Sequence, residues 1–159
     1  MLAVAARKAA TAIRRTSLPV VFVQAKAEEL PFADATFDLV VCVTALEFTA
    51  SPVQAVAEMV RVLAPGGRLV VGVLNRWSLW AWRYRRQTGT VYTQAHFFRP
   101  GELAELLAPY GPVRWRSRVF IPPWDSGRPR AAAILWERLG VALHSPFGAF
   151  LAASVEKRK

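Results

Sequence analysis

The stretch from Phe37 to Leu74, FDLVVCVTALEFTASPVQAVAEMVRVLAPGGRLVVGVL, decides the fold. Phe37 to Thr44 is apolar without alternation, the pattern of a parallel strand covered by helices on both faces, and it reads as a central strand. Ser51-Pro52-Val53-Gln54 then has the marks of a helix start: serine at the N-cap, proline at the first helical position and glutamine three residues on to complete a capping box. The inward face of this helix reads as Val53, Val56, Val60 and Leu63. Ala64-Pro65-Gly66-Gly67 ends it, because glycine accepts the left-handed backbone that helix C-termini favour. Arg68 to Leu74 is a second buried strand. Strand, helix and strand with short connections make a right-handed βαβ unit, hence an α/β protein with a parallel sheet.

Outward from this unit, Val20 to Gln24 is a short β-branched and aromatic run that predicts another strand of the same sheet. A loop broken by Pro31 follows it. Downstream lie an aromatic and basic stretch from Asn75 to Arg99, a helix from about Pro100 to Ala108 and a strand from Val113 to Ile121. In that strand Val113, Trp115, Ser117 and Val119 alternate with Arg114, Arg116 and Arg118, which predicts one packed face, one charged face and a place near the sheet edge. After a loop with Pro122-Pro123-Trp124, a helix is expected around Ala131 to Leu143 and a last strand from Phe147 to Val155. Ahead of everything, Leu2, Val4, Ala5, Ala9, Ala12 and Ile13 fit one face of a helix, although the acid-free stretch Met1 to Ala27 is equally readable as a transit peptide.

The 159 residues suit a single domain, and a hydrophobic fraction of 53% with six tryptophans supplies a core. No apolar run approaches the roughly 20 residues of a membrane span. With one cysteine, Cys42, no intrachain disulfide can form, and a reduced, cytoplasmic setting is the expectation. Cys42 lies within an apolar strand and reads as core packing. The net charge of +10 points to an anionic partner without choosing one, and the scattered basic residues match no nucleic-acid-binding signature. A solvated basic surface explains them as well.

Four pieces carry a family resemblance: Ala27-Glu28-Glu29-Leu30-Pro31-Phe32, Phe37-Asp38-Leu39-Val40-Val41, Leu46-Glu47, and Arg61-Val62-Leu63-Ala64-Pro65-Gly66-Gly67-Arg68-Leu69-Val70. In this order and at these intervals they resemble class I S-adenosylmethionine-dependent methyltransferases, of the type 11 kind. The resemblance implies the C-terminal two-thirds of a doubly wound, Rossmann-like sheet, mostly parallel with an antiparallel last strand, as one domain over residues 1–159. It also implies a glycine-rich turn after the first strand and an acidic residue ending the second, which hold the methionine and ribose parts of the cofactor. Neither is in this sequence: no glycine precedes Gly66, and the first acidic residue is Glu28. That turn lets backbone approach the ligand closely, a job side chains do not easily replace.

By the same resemblance Lys26, Ala27 and Glu28 stand at the adenine end of an S-adenosylmethionine site, and Thr44, Ala45 and Leu46 at the strand end beside it. Lysine has three donors and no acceptor, so at position 26 it loses the contact to the adenine amino group that an aspartate makes in relatives. Residues 75–99 lie where relatives place a lid or acceptor-contacting segment. If helical, Trp77, Trp80 and Tyr84 share one face there, to cover an acceptor, rest on a membrane surface or simply cap the core. Tyr92 and His96 are candidates for proton transfer at the acceptor, and His144 has a weaker claim. No metal site is expected. Three functions follow. The first is the downstream part of a small-molecule methyltransferase, weak or inactive alone, with Met1 an internal methionine. The second is a non-catalytic interaction protein that dimerises through an exposed sheet edge. The third, less favoured, is a nucleic-acid-binding module.

Overall fold

Alternation in the first strand, β1 (Phe37–Val43), sets the orientation of the sheet: Val40 and Cys42 turn towards the core, whereas Leu39, Val41 and Val43 stay more than half exposed. The computed structural model describes residues 21–87, 89–120, 130–143 and 145–158. The expected N-terminal helix, the Pro122-Pro123-Trp124 loop and His144 lie outside them.

Helix α1 (Pro52–Arg61) follows, then β2 (Leu63–Leu74), α2 (Leu79–Arg85), α3 (Pro100–Leu107), β3 (Val113–Arg118), α4 (Arg130–Ala142) and β4 (Phe150–Glu156). The sheet order is β1-β2-β4-β3, with β1 and β2 parallel and β4 antiparallel to both its neighbours. The α/β class and the antiparallel last strand are as the sequence predicts. Ala55, Val56, Met59 and Val60 of α1 and Leu103 and Leu107 of α3 pack on Leu69, Val71, Val73, Leu151, Ala153 and Val155 as one core.

Several expectations need correction. Among the described residues β1 is an edge strand and not a central one; its apolar residues would suit a sheet covered on both faces, but one of its faces is open. Residues 21–25 form no ladder and are exposed, so the described part of the run near 20–24, from Val21 on, is not a strand of this sheet: a strand exists only against a partner, and among the described residues none lies beside it. Val53 is 66% exposed, and the inward face of α1 runs instead through Ala55, Val56, Met59 and Val60. Ala64-Pro65-Gly66-Gly67 belongs to β2 and does not end the helix, which closes at Val62. The partner of β1 jumps from Leu63 at Phe37 to Arg68 at Leu39, so these four residues bulge out of the ladder. Gly66 turns there at φ 79°, and a side chain on Gly67 would strike the carbonyls of Ala64 and Asp38.

Distant residues finish both ends of α1. Ser51 caps the start, its side chain accepting from the Gln54 amide. The reciprocal half of the expected capping box comes from elsewhere: Glu28 Oε1 accepts from the amides of Ala50 at 2.7 Å and Ser51 at 3.3 Å. At the other end Lys157 Nζ donates to the carbonyls of Val60 and Leu63, satisfying groups that a helix end leaves open. Arg61 ties the preceding loop to the helix through the carbonyls of Leu30 and Phe32 and the carboxylates of Glu58 and Asp34. Its guanidinium holds the Glu58 carboxyl down at about 2. Part of the large positive charge is therefore structural.

β3 shows the predicted alternation as far as Ser117, with Arg114 and Arg116 in solvent and Ser117 buried, and among the described residues it forms the other sheet edge. It ends at Arg118, and Val119, expected on the packed face, is 42% exposed with φ 65°.

Candidate functional site

The C-terminal ends of β1 and β2 lie side by side, where open α/β sheets bind ligands. Just past β1, Thr44 has φ 48°, a left-handed conformation that a β-branched residue rarely adopts, and its amide donates to the Gly72 carbonyl at 2.8 Å. Such strained positions cluster at binding sites. Thr44 and Ala45 are exposed, and Ala45 lines an apolar groove of about 460 Å³ along β1, with Leu30, Phe32, Leu39 and Val43. Leu46 is fully buried.

Lys26, Ala27 and Glu28 sit elsewhere. They line an open hollow of about 510 Å³ faced by Phe48, Thr49, Ala50 and Ser51. Of the six residues expected around the cofactor, three thus line one depression and Ala45 another, while Thr44 lies exposed beside Ala45 and Leu46 is buried. Glu28 is already committed, because its carboxylate caps α1, and hydrogen bonds from backbone amides hold it below the ordinary carboxylate range.

Glu47, part of the Leu46-Glu47 piece, is the residue whose role the sequence conceals. It is 1% exposed; its Oε1 accepts from the Leu74 amide at 2.7 Å, and its Oε2 is buried without a hydrogen-bond partner. Burial pushes its carboxyl up from the ordinary value. The folded state therefore holds this proton more tightly than the unfolded chain does, and stability contributed by the neutral form is lost as pH rises from about 4.5 through the folded value. Glu47→Gln keeps the acceptor for Leu74 and removes the charge. At neutral pH we expect it to gain on the order of 1 kcal/mol, with the gap to wild type closing as pH falls towards 4.5. Urea unfolding at several pH values checks this, and a pH-independent loss would contradict it.

Past the end of β2, Asn75 directs the chain away from the strand. Its Nδ2 donates to the carbonyls of Pro146 and Gly148, its Oδ1 accepts from the Trp77 amide, and its carbonyl accepts from the Ser78 hydroxyl, which in turn caps α2 at Ala81. This fully buried hub had no signal beyond a polar residue directly after an apolar strand. Because α2 begins only at Leu79, Trp77 precedes it, and helical spacing does not apply to it. Trp77 packs on Phe147 instead, while Trp80 and Tyr84 do share a face, with ring centres 5.7 Å apart. Trp80, Tyr84, Phe97, Leu74 and Phe150 enclose an apolar cavity of about 300 Å³.

Tyr92 stacks on Tyr84 at 4.4 Å, and with His96 it lines an adjoining polar recess of about 270 Å³. His96 has the partner that the sequence did not reveal: its Nε2 lies 2.5 Å from Glu102 Oε1, and its amide donates to the Glu47 carbonyl. The two proton-transfer candidates therefore share one recess next to the aromatic cavity. Cys42 is buried, and burial raises its thiol, which fits packing and not nucleophilic use. Among the described residues no cluster suited to a metal ion is found, and no helix is long and apolar enough to cross a membrane.

With this arrangement established, comparison with known proteins gives the class. A methyltransferase domain family matches residues 1–71. A solved S-adenosylmethionine-dependent methyltransferase from Thermotoga maritima, described as a possible histamine N-methyltransferase, superposes with TM-score 0.69 at 25% identity, covering 87% of this chain and 65% of that one. This chain has the class I methyltransferase fold. The demethylmenaquinone methyltransferase of Thermus thermophilus is 46% identical over 71 residues, covering 45% of this chain and 30% of its own. The ubiquinone/menaquinone biosynthesis C-methyltransferase of Haemophilus ducreyi is 54% identical over 50 residues, covering 31% and 19%. The chain spans less than half the length of the curated relatives it matches.

Proposed function

We propose that these residues form the acceptor-binding part of a cytoplasmic S-adenosylmethionine-dependent methyltransferase for a small molecule. Polypeptide beyond these 159 residues supplies the glycine-rich cofactor turn. The observation that carries this reading is the open edge of β1. Among the described residues β1 ends the sheet with the apolar groove along it and Leu39, Val41 and Val43 exposed on its open face, so that further strands would dock beside it and bring the turn to Thr44. The matches to quinone C-methyltransferases and the aromatic cavity beneath α2 support an apolar acceptor. The same edge favours a second reading, a non-catalytic protein that pairs two copies through β1.

Calorimetry with S-adenosylmethionine separates them. We expect no measurable binding to residues 1–159 alone. Binding should appear once they are fused to the N-terminal strand, turn and helix segments of the Thermus thermophilus relative. Tight binding by the unfused chain, or none by a folded fusion, would refute the first reading. A stable dimer that never binds cofactor would favour the second.

A further inference from the structure

The apolar cavity and the polar recess share a wall. Phe97 lines both, and the stacked pair Tyr84 and Tyr92 contributes one ring to each. The cavity is almost wholly apolar, bounded by aromatic rings that suit a flat or chain-like hydrocarbon body. The recess is basic: Arg76 and Arg85 enter it from either end of α2, beside the Tyr92 hydroxyl-bearing ring, Thr93 and His96, and no acidic residue lines it. Among the described residues neither arginine has an ion-pair partner. Glu102, which approaches through His96, is engaged by His96 Nε2 and by the Arg99 amide.

Two arginines without an ion-pair partner among the described residues, in a recess that adjoins an aromatic cavity, have a specific consequence. A cation there is repelled, a neutral ligand leaves the arginines without a partner, and an oxyanion takes charge-assisted hydrogen bonds from them. We infer that this double site binds an amphiphilic acid, with an apolar body between Trp80 and Phe97 and an anionic oxygen group between Arg76 and Arg85. Naming this ligand the methyl acceptor rests on the methyltransferase reading. The binding itself does not.

The test uses residues 1–159 without cofactor and compares 4-phenylbutanoate with its neutral isostere 4-phenylbutanamide by titration calorimetry. The acid should bind at least about tenfold more tightly. Arg76→Gln and Arg85→Gln should each cut that preference several-fold and together abolish it. Arg114→Gln with Arg116→Gln, on the far edge strand, should leave it intact, which separates a built site from diffuse positive charge. Trp80→Ala should weaken acid and amide alike; should it fail to fold, Arg85→Gln at an exposed position of α2 still decides. Equal affinity for acid and amide, no binding of either, or a preference that the Arg114 and Arg116 changes remove would overturn the inference. Because no cofactor is present, failure here leaves the methyltransferase reading standing, and failure of cofactor binding in the fusion leaves this site standing.

Discussion

Residues 1–159 incubated with methyl-labelled S-adenosylmethionine and a panel of apolar, aromatic and acidic acceptors are expected to transfer no methyl group above background. Transfer requires the sulfonium methyl to be held in line with the acceptor at near-attack distance, and such orientation lowers barriers by about 7–11 kcal/mol. Here Lys26, Ala27 and Glu28 line one open depression and Ala45 another, Glu28 is spent on a helix cap, and Leu46 is buried. No glycine lies ahead of Gly66 to let backbone approach the methionine end. A cofactor touched only at adenine samples the reactive geometry rarely. The fusion carrying a glycine-rich turn should exceed the isolated chain by at least about 10⁴-fold in turnover, within the range that orientation supplies. Robust turnover by residues 1–159 would mean that the cofactor site lies wholly within them.

The βαβ unit was legible because its signals are local. Ser51-Pro52 starts a helix in any context, and the arginine alternation of β3 shows one face in water wherever the strand lies. The place of β1 was not legible, since Leu39, Val41 and Val43 look the same whether a helix covers them or solvent does. Nor does the sequence alone reveal whether the run near 20–24 has a neighbour to pair with. The Pro-Gly-Gly turn was seen, but its role depends on β1, against which Gly66 and Gly67 bulge.

At the site, residue types were readable and their partners were not. Tyr92 and His96 were picked for their chemistry, and the fold does bring them into one recess. The contact of His96 with Glu102 needs the turn at Arg99 and Pro100 that swings α3 back, and helical or strand periodicity does not encode that. Trp77 was grouped with Trp80 and Tyr84 on a spacing valid only inside a helix, and Ser78 starts that helix one residue too late. Lys157 is one of the scattered basic residues in the sequence, and in the fold it closes the end of α1 through distant carbonyls, among them that of Leu63, 94 positions away.

Phe98→Ala should have the largest effect on stability among single changes near the aromatic cavity. Phe98 is 1% exposed, packs edge-on against the His96 ring at 4.6 Å, and belongs to the central core with Leu103, Leu107 and Leu151. Its backbone also ties the segment to the sheet: its amide donates to the Leu74 carbonyl, and its carbonyl accepts from the Arg76 amide. Truncating a buried phenylalanine to alanine costs about 3–5 kcal/mol, a large share of the about 5–15 kcal/mol that holds a typical domain together. For a chain of this length that corresponds to a fall in Tm of roughly 6–20 °C. Trp82→Ala is the control. Trp82 is 54% exposed, and its ring chiefly carries the Arg86 guanidinium at 3.8 Å, a contact worth about 0.5–1 kcal/mol at the surface. The Phe98 variant should therefore lose several times more stability than the Trp82 variant. Because Phe97 and His96 ride on the segment that Phe98 anchors, hydrogen exchange in residues 95–99 should also quicken more than in β2, where the ladder with β1 and β4 is unchanged. If calorimetric melting showed Phe98→Ala within about 1 kcal/mol of wild type, the segment would not be fixed by this ring, and the shared wall of the aromatic cavity and the polar recess would lose its structural basis.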